Sequence, residues 1–135
     1  MSAAAKIWDP LRRAQVAATP EEAVRQWFIG VLRDSAAVPL HMMMSEVGFK
    51  WGAKRYRADI VVYDRALKPL CVVECKRPEV ELDADVVRQA MRYNAVLDVR
   101  WIILTNGTRT LCFKRRGDVF EAADSLPSYG SMLFL

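Results

Sequence analysis

The spacing of apolar residues first follows a helical period. Apolar positions three and four apart between residues 20 and 34 are typical of an amphipathic helix with one face packed on a core. That face comprises Val24, Trp27, Phe28, Val31 and Leu32. Thr19 precedes a proline, and Glu22 follows three residues after Thr19, which predicts a helix capped by Thr19 with Glu22 engaged in a capping box. The segment before it, around Arg12 and Arg13, predicts a short irregular or helical arm.

Beyond the first helix the pattern changes to short runs rich in β-branched and aromatic residues, which predict five strands. The predicted strands cover residues 40–47, 57–63, 70–75, 101–105 and 110–114. Residues 83–97 return to a helical period without Gly or Pro, which predicts a crossover helix and a parallel pairing of the third and fourth strands. Residues 64–69 and the pair Asn106-Gly107 predict the turns that join the other neighbouring strands.

The order of these elements predicts an α/β fold with a central mixed β-sheet of about five strands flanked by helices. Neither a linker nor a repeat interrupts the chain, so we expect one domain over residues 1–135 with its core at about residues 19–116. The tail, residues 117–135, ends in an apolar segment, which we expect to dock on the body of the protein or on a partner.

Composition and charge exclude several classes of protein. No apolar run approaches the roughly 18 residues of a membrane span, and the N-terminus lacks a secretory signal, so we expect a cytoplasmic protein without a membrane partner. The net charge of +4 is compatible with a polyanionic partner. The three cysteines, Cys71, Cys75 and Cys112, are predicted to be buried thiols. Because His41 is the only histidine, any catalysis would use carboxylates and lysine.

Charged residues interrupt two strands that otherwise have buried patterns. Asp59 lies in the second strand, and Glu74 and Lys76 lie at the end of the third, where alternation puts both side chains on one face. A hairpin around residues 64–69 would bring Asp59 beside them. Two carboxylates in an apolar sheet repel each other unless a cation neutralises them, and hard oxygen ligands suit Mg²⁺ or Mn²⁺. The cluster predicts metal-dependent phosphodiester hydrolysis, and the alternative is a structural group of ion pairs.

This arrangement resembles the site of PD-(D/E)xK nucleases, although Ala58 stands where the name of the motif has proline. More narrowly, five segments resemble the N-terminal nuclease domain of type I restriction enzyme R subunits and its stand-alone relatives. The segments are TPEEAVRQ at 19–26, RADIVVYD at 57–64, VECKRP at 73–78, QAMRYN at 89–94 and LTNG at 104–107. The resemblance implies a restriction-endonuclease-like core.

The resemblance also implies roles for individual residues. Asp59 and Glu74 would bind the metal together with the backbone carbonyl of Cys75, and Lys76 would be the catalytic lysine. In the metal-dependent hydrolysis that the cluster predicts, Lys76 can hold or polarise the attacking water. The implied cofactor is Mg²⁺, for which Mn²⁺ would substitute.

Two helices would add further residues to this site. Gln89 and Tyr93, one helical turn apart, would form the auxiliary Q-x-x-x-Y element that positions DNA or the site. Many such nucleases take an acidic ligand from the first helix, and Glu21 and Glu22 both stand there. Glu21 lies about 60° from the apolar face and Glu22 about 160° from it, which favours Glu21 as a metal ligand. The alternative is that Glu21 stabilises the helix dipole.

Basic residues near these segments are candidate contacts to phosphate groups. They are Lys54, Arg55, Arg57, Arg88 and Arg92. The resulting interpretation is a Mg²⁺-dependent DNA nuclease of the restriction-modification type, acting as a homodimer or within a larger restriction or defence complex. The alternative is a catalytically inactive nucleic-acid-binding or assembly module with the same fold.

Overall fold

The helices and strands of residues 5–134 are described by a computed structural model. Its strands are β1 (Lys6–Asp9), β2 (Ala14–Ala17), β3 (Met43–Trp51), β4 (Lys54–Tyr63), β5 (Pro69–Cys75), β6 (Trp101–Thr105), β7 (Thr110–Arg116) and β8 (Val119–Ala123). Its helices are α1 (Pro20–Asp34), α2 (Ala84–Asn94) and α3 (Tyr129–Leu133). Residues 1–4 and Leu135 lie outside the described residues. The expectation about a secretory signal at the N-terminus and the expected docking of the last residue of the tail are therefore not tested.

Six of the strands form one mixed sheet in the order β3-β4-β5-β6-β7-β8. Strands β5 and β6 are parallel, with Cys71 opposite Trp101, and the other neighbouring pairs are antiparallel. Helix α2 connects β5 to β6, so the predicted crossover is confirmed. The predicted turn at Asn106 is confirmed as well, because its side-chain oxygen accepts hydrogen bonds from two backbone amides of the turn. The α/β fold class is therefore correct.

Several predicted boundaries and one count were wrong. The described residues contain eight strands rather than five, and the segment around Arg12 and Arg13 is a β-hairpin of β1 and β2 rather than an irregular or helical arm. Residues Leu40–Met42 form a 3₁₀ turn, so the first predicted strand begins at Met43. Strand β8 was missed because its residues are mostly exposed and show no apolar alternation. The crossover helix ends at Asn94 rather than near residue 97.

Helix α1 begins as predicted, but its buried face is shifted. The hydroxyl of Thr19 accepts a hydrogen bond from the backbone amide of Glu22 at 3.1 Å. Trp27, which was placed on the apolar face, is 47% exposed. The charged residues Glu22 and Arg25 are buried instead, beside Phe28. The inner face of this helix is therefore partly ionic.

The sheet separates two larger apolar cores, and a third, smaller apolar cluster includes residues of α2. Helices α1 and α3 cover one face, where Phe28, Ile60 and Met132 pack together, and α2 and its following loop cover the other, where Val72 and Ile102 pack. Because Met132 is fully buried in the first core, docking of the tail on the body of the protein is confirmed for the described residues. None of the helices within residues 5–134 is long and apolar enough to cross a membrane.

One side of the β3–β4 pair packs against the first core along half of its length and against the second core along the other half. Met43 packs in the first core, whereas Val47, an even number of positions later, packs in the second. Pairing is interrupted between them, where Glu46 has a positive φ of 54° and faces Asp59. Strand β5 pairs only with residues 60–63 of β4. Beyond the interruption, residues 47–58 therefore form a two-stranded extension, which we call the ribbon, and it folds over the α2 side of the sheet.

Candidate functional site

The predicted meeting of Asp59 with Glu74 and Lys76 is found at the end of the β4–β5 pair. A carboxylate oxygen of Asp59 accepts a hydrogen bond from the backbone amide of Cys75 at 2.7 Å. The Nζ atom of Lys76 lies 3.3 Å from a carboxylate oxygen of Glu74. The hairpin turn and the two-residue alternation along β5 produce this grouping, as expected.

Glu74 and Lys76 open onto a cleft of about 310 Å³ between β5 and helix α2. Gln89 and Tyr93 line the opposite wall, as their spacing of one helical turn allows. Asn94, which is buried at the end of α2, donates a hydrogen bond to Glu74 at 3.3 Å. The role of Asn94 was missed, although its position within the QAMRYN segment placed it one residue after Tyr93. The cleft is thus polar on its strand side and lined by α2 on the other.

On its other side, Asp59 faces a buried arginine from α1. An Nη atom of Arg25 lies 3.6 Å from Asp59, and the other Nη donates a hydrogen bond to Glu46 at 2.8 Å. Arg25 is only 5% exposed, and its Nε atom has no hydrogen-bond partner. The sequence contained a signal for this residue, because Arg25 lies three and four positions before Phe28 and Ile29 and so shares their buried face.

A second arginine, Arg12, connects the N-terminal hairpin to the same group of charges. It contacts the carboxylates of Asp9 and Glu22 and lies 3.8 Å from Glu46. Burial raises the pKa of Asp9, but the bonds from Arg12 and from the amide of Leu11 outweigh it, so the pKa is lowered overall. Glu22 therefore does not close a capping box as predicted, because its carboxylate is turned toward Arg12.

The pKa of Asp59 is raised above its ordinary value. Burial is the largest cause, and the negative charges of Glu21 and Glu74 act in the same direction. The amide of Cys75 and the guanidinium of Arg25 oppose the shift without cancelling it. The ionised form of Asp59 is therefore disfavoured in the folded protein, and a bound cation would favour it.

The two candidate acids of α1 have different surroundings. Glu22 is buried and engaged with Arg12, whereas Glu21 is exposed in the first turn and its charge reaches Asp59 and Cys75. Glu21 forms no ion pair among the described residues. Its assignment as a metal ligand stays a prediction.

The predicted phosphate contacts lie in two groups. On the ribbon, Arg57 pairs with Glu46, the Nζ atom of Lys54 lies 5.3 Å from the ring centre of Tyr56, and Arg55 is exposed. On α2, Arg88 and Arg92 are exposed, and Arg88 pairs with an aspartate of the same helix at 3.0 Å. The ribbon group and the cleft meet at Tyr93, whose hydroxyl accepts a hydrogen bond from the backbone amide of Arg57 at 2.7 Å.

A family model matches most of the chain. The profile described as "Type I restriction enzyme R protein N terminus (HSDR_N)" matches residues 20–127, which is more than half of the chain. The matched region contains α1, the ribbon, the cleft and the charged residues at the end of β5. No curated protein sequence matches this chain significantly.

Two solved structures resemble the fold. A fragment assigned as an HsdR subunit of a type I restriction enzyme from Vibrio vulnificus YJ016 has a TM-score of 0.61 and 17% identity, and the similarity covers 83% of this chain and 24% of that one. A protein from Anabaena variabilis ATCC 29413, assigned as a nuclease belonging to DUF820, has a TM-score of 0.54 and 12% identity over 90% of this chain and 81% of that one. These similarities concern the fold, and they confirm the restriction-endonuclease-like architecture.

Proposed function

This chain belongs to the family described as type I restriction enzyme R protein N terminus, and from that membership and the geometry of the site we propose that it is a Mg²⁺-dependent nuclease that hydrolyses DNA phosphodiester bonds. One observation carries the proposal. Asp59 is held 2.7 Å from the amide of Cys75, and the neighbouring Glu74 and Lys76 line the cleft between β5 and α2. A nuclease assignment for the Anabaena protein with the same fold supports it.

The residues at the end of β5 fit a hard divalent cation. No three His, Cys, Asp or Glu side chains within residues 5–134 form a metal cage by themselves. Asp59 and Glu74 would therefore hold the ion together with the main-chain carbonyl of Cys75, and Glu21 would add a carboxylate from α1. When bound, Mg²⁺ supplies a coordinated water of lowered pKa and stabilises negative charge on the phosphate. The raised pKa of Asp59 supports this fit.

The lysine and the helix residues have separate tasks in this proposal. Lys76, whose side chain is 35% exposed, reaches into the cleft from the strand, where its ammonium orients the attacking water and stabilises charge on the phosphate oxygens. The bond between Lys76 and Glu74 fixes the position of that ammonium. Gln89 and Tyr93 close the opposite wall of the cleft and limit where the phosphate can lie.

Conversion of supercoiled plasmid to nicked and linear forms tests the proposal. We expect cleavage with Mg²⁺ or Mn²⁺ and none with EDTA, and we expect Lys76→Ala to lose at least about 100-fold in rate, as removal of a charge-stabilising group does in other enzymes. Lys68→Ala is the matched control, because Lys68 is an exposed lysine at the opposite end of β5. Equal cleavage by Lys76→Ala and Lys68→Ala would contradict the proposal.

One observation favours the alternative of an inactive nucleic-acid-binding module. Arg25 supplies Asp59 with a cation from within the protein, at 3.6 Å. Calorimetric titration with Mn²⁺ separates the two functions, because the nuclease requires metal binding that Asp59→Ala abolishes. DNA binding that is indifferent to both Mn²⁺ and Asp59→Ala would favour the module.

A further inference from the structure

We propose that the ribbon, residues 47–58, is a duplex-DNA-binding arm whose outer face holds the phosphate backbone beside the cleft. The choice of DNA as the ligand rests on the proposed function, whereas the inference that the ribbon binds phosphate groups rests on its geometry and charge. Its inner face, formed by Val47, Phe49, Tyr56 and Ala58, packs in the second core. Its outer face is left to solvent.

Like charges face each other across the outer side of the ribbon. Lys50 and Arg55 are directly opposed partners in the β3–β4 register, and both are exposed. Neither forms an ion pair in the described part of the chain. Like charges directly opposite each other destabilise an antiparallel pair. A polyanion bound over this face removes that repulsion, and the arrangement is therefore suited to phosphate groups.

Gly48 leaves the outer face of the ribbon without a side chain next to Lys50 and Arg55. Gly48 is the register partner of Arg57, so the outer face there consists of backbone beside a guanidinium that pairs with Glu46. The nearest atom to a Cβ placed on Gly48 would be a backbone oxygen at 3.9 Å, which shows that Gly48 is not required by crowding. An open stretch of backbone lets a bulky ligand approach closely. A two-stranded ribbon also has the width that the major groove of DNA admits, about 12 Å.

The other exposed hairpin of the sheet provides a contrast. In the β7–β8 pair, Lys114 faces Glu121 across the strands, and Arg116 lies 3.5 Å from the same glutamate. Cations on that hairpin are therefore matched by an acid, as solvated strands usually are. The unmatched pair occurs on the hairpin that is joined to the cleft through the bond between Tyr93 and Arg57. The position of the ribbon thus connects phosphate binding to the candidate site.

Fluorescence anisotropy with a short labelled duplex of mixed sequence, in EDTA so that no cleavage occurs, tests the arm. We expect the double variant Lys50→Ala/Arg55→Ala to bind on the order of tenfold more weakly and to reduce the slope of log affinity against log salt by about two, because two phosphate contacts are lost. The control, Lys114→Ala/Arg116→Ala, removes the same charge from β7 and should change the slope by less than half as much.

The variant Lys50→Glu tests whether weaker DNA binding results from unfolding of the ribbon. It places an acid opposite Arg55, so we expect unchanged or higher thermal stability together with weaker DNA binding. If Lys50→Ala/Arg55→Ala and its control show the same slope of log affinity against log salt, the proposal that the ribbon binds DNA is wrong. Tighter binding of the wild type to the corresponding single strand than to the duplex would also overturn the proposal.

The outcome is separable from that of the proposed function. Loss of binding in the ribbon variants, with no plasmid cleavage by the wild type, would support the arm and contradict the nuclease. Cleavage that depends on Lys76, with ribbon variants that bind like the wild type, would support the nuclease and contradict the arm.

Discussion

At the scale of single residues, the charge on Asp59 opposes folding of the metal-free protein. Burial and the neighbouring carboxylates raise its pKa, so the ionised form is disfavoured in the folded state relative to the unfolded one. Asp59→Asn removes that charge, and its amide oxygen can still accept the bond from Cys75. We therefore expect Asp59→Asn to raise the melting temperature of the metal-free protein by a few degrees at neutral pH, measured by calorimetry in EDTA.

The pH dependence of this effect has a definite sign. Below the ordinary aspartate pKa of 3.8 the wild-type carboxyl is protonated in both states, so the gain from Asp59→Asn should vanish there. It should grow as the pH rises toward the higher pKa of the folded state and stay constant above it. Asp34→Asn, at an exposed aspartate whose pKa is lowered by Arg33, is the control that should show no gain. A stability loss in Asp59→Asn at neutral pH would contradict the prediction.

Sequence reasoning reached some of these residues and missed others for a physical reason. Asp59, Glu74 and Lys76 could be grouped because alternation along a strand and a short hairpin turn are local rules. Arg25 and Glu46 could not be paired, because their contact joins a helix to a strand that is distant in the chain.

At the scale of elements, helix α2 and the ribbon are joined by one tyrosine. The hydroxyl of Tyr93 accepts the bond from the amide of Arg57, and its ring lies 4.9 Å from that of Tyr56. Tyr93→Phe keeps the ring contact and removes the acceptor. We expect a loss of about 1 kcal/mol or less in stability and faster hydrogen exchange at the Arg57 amide.

The matched comparison for Tyr93→Phe is Tyr63→Phe. No hydrogen bond of the Tyr63 hydroxyl is found in residues 5–134, so its removal should leave exchange in the ribbon unchanged. Unaltered exchange at the Arg57 amide in Tyr93→Phe would mean that the tyrosine does not brace the ribbon.

Elements with a strong apolar pattern were predictable, and elements that depend on a partner were not. The core strands β5 and β6 follow from runs of buried residues, and the helix between them follows from the helical period of its apolar residues. The short strands β1, β2 and β8 are mostly exposed and exist because they pair with a neighbour. The turn of β3 and β4 onto the other face depends on the positive φ of Glu46, which residue type does not indicate.

At the scale of the whole molecule, the short helix α3 closes one apolar core. Met132 is fully buried there against α1 and the sheet, whereas Phe134, two residues later, is 81% exposed. We expect Met132→Ala to lower the free energy of unfolding by about 2–4 kcal/mol, because it leaves a cavity, and Phe134→Ala to change it by less than about 0.5 kcal/mol. Urea unfolding measures both. Similar small losses in the two variants would show that α3 does not close the core.

The order of strands across the main sheet has a consequence for the kinetics of folding. Each strand lies beside the strand that precedes it in the chain, so most pairings need only a short loop to close. Hairpins of this kind form in about 1–10 μs. The parallel β5–β6 pairing forms more slowly, because it must close the long loop that contains α2. We therefore expect this parallel pairing to set the refolding rate. Because β5 carries Glu74 and Lys76 directly follows its last residue, the cleft would assemble in that same slow step rather than with the early hairpins.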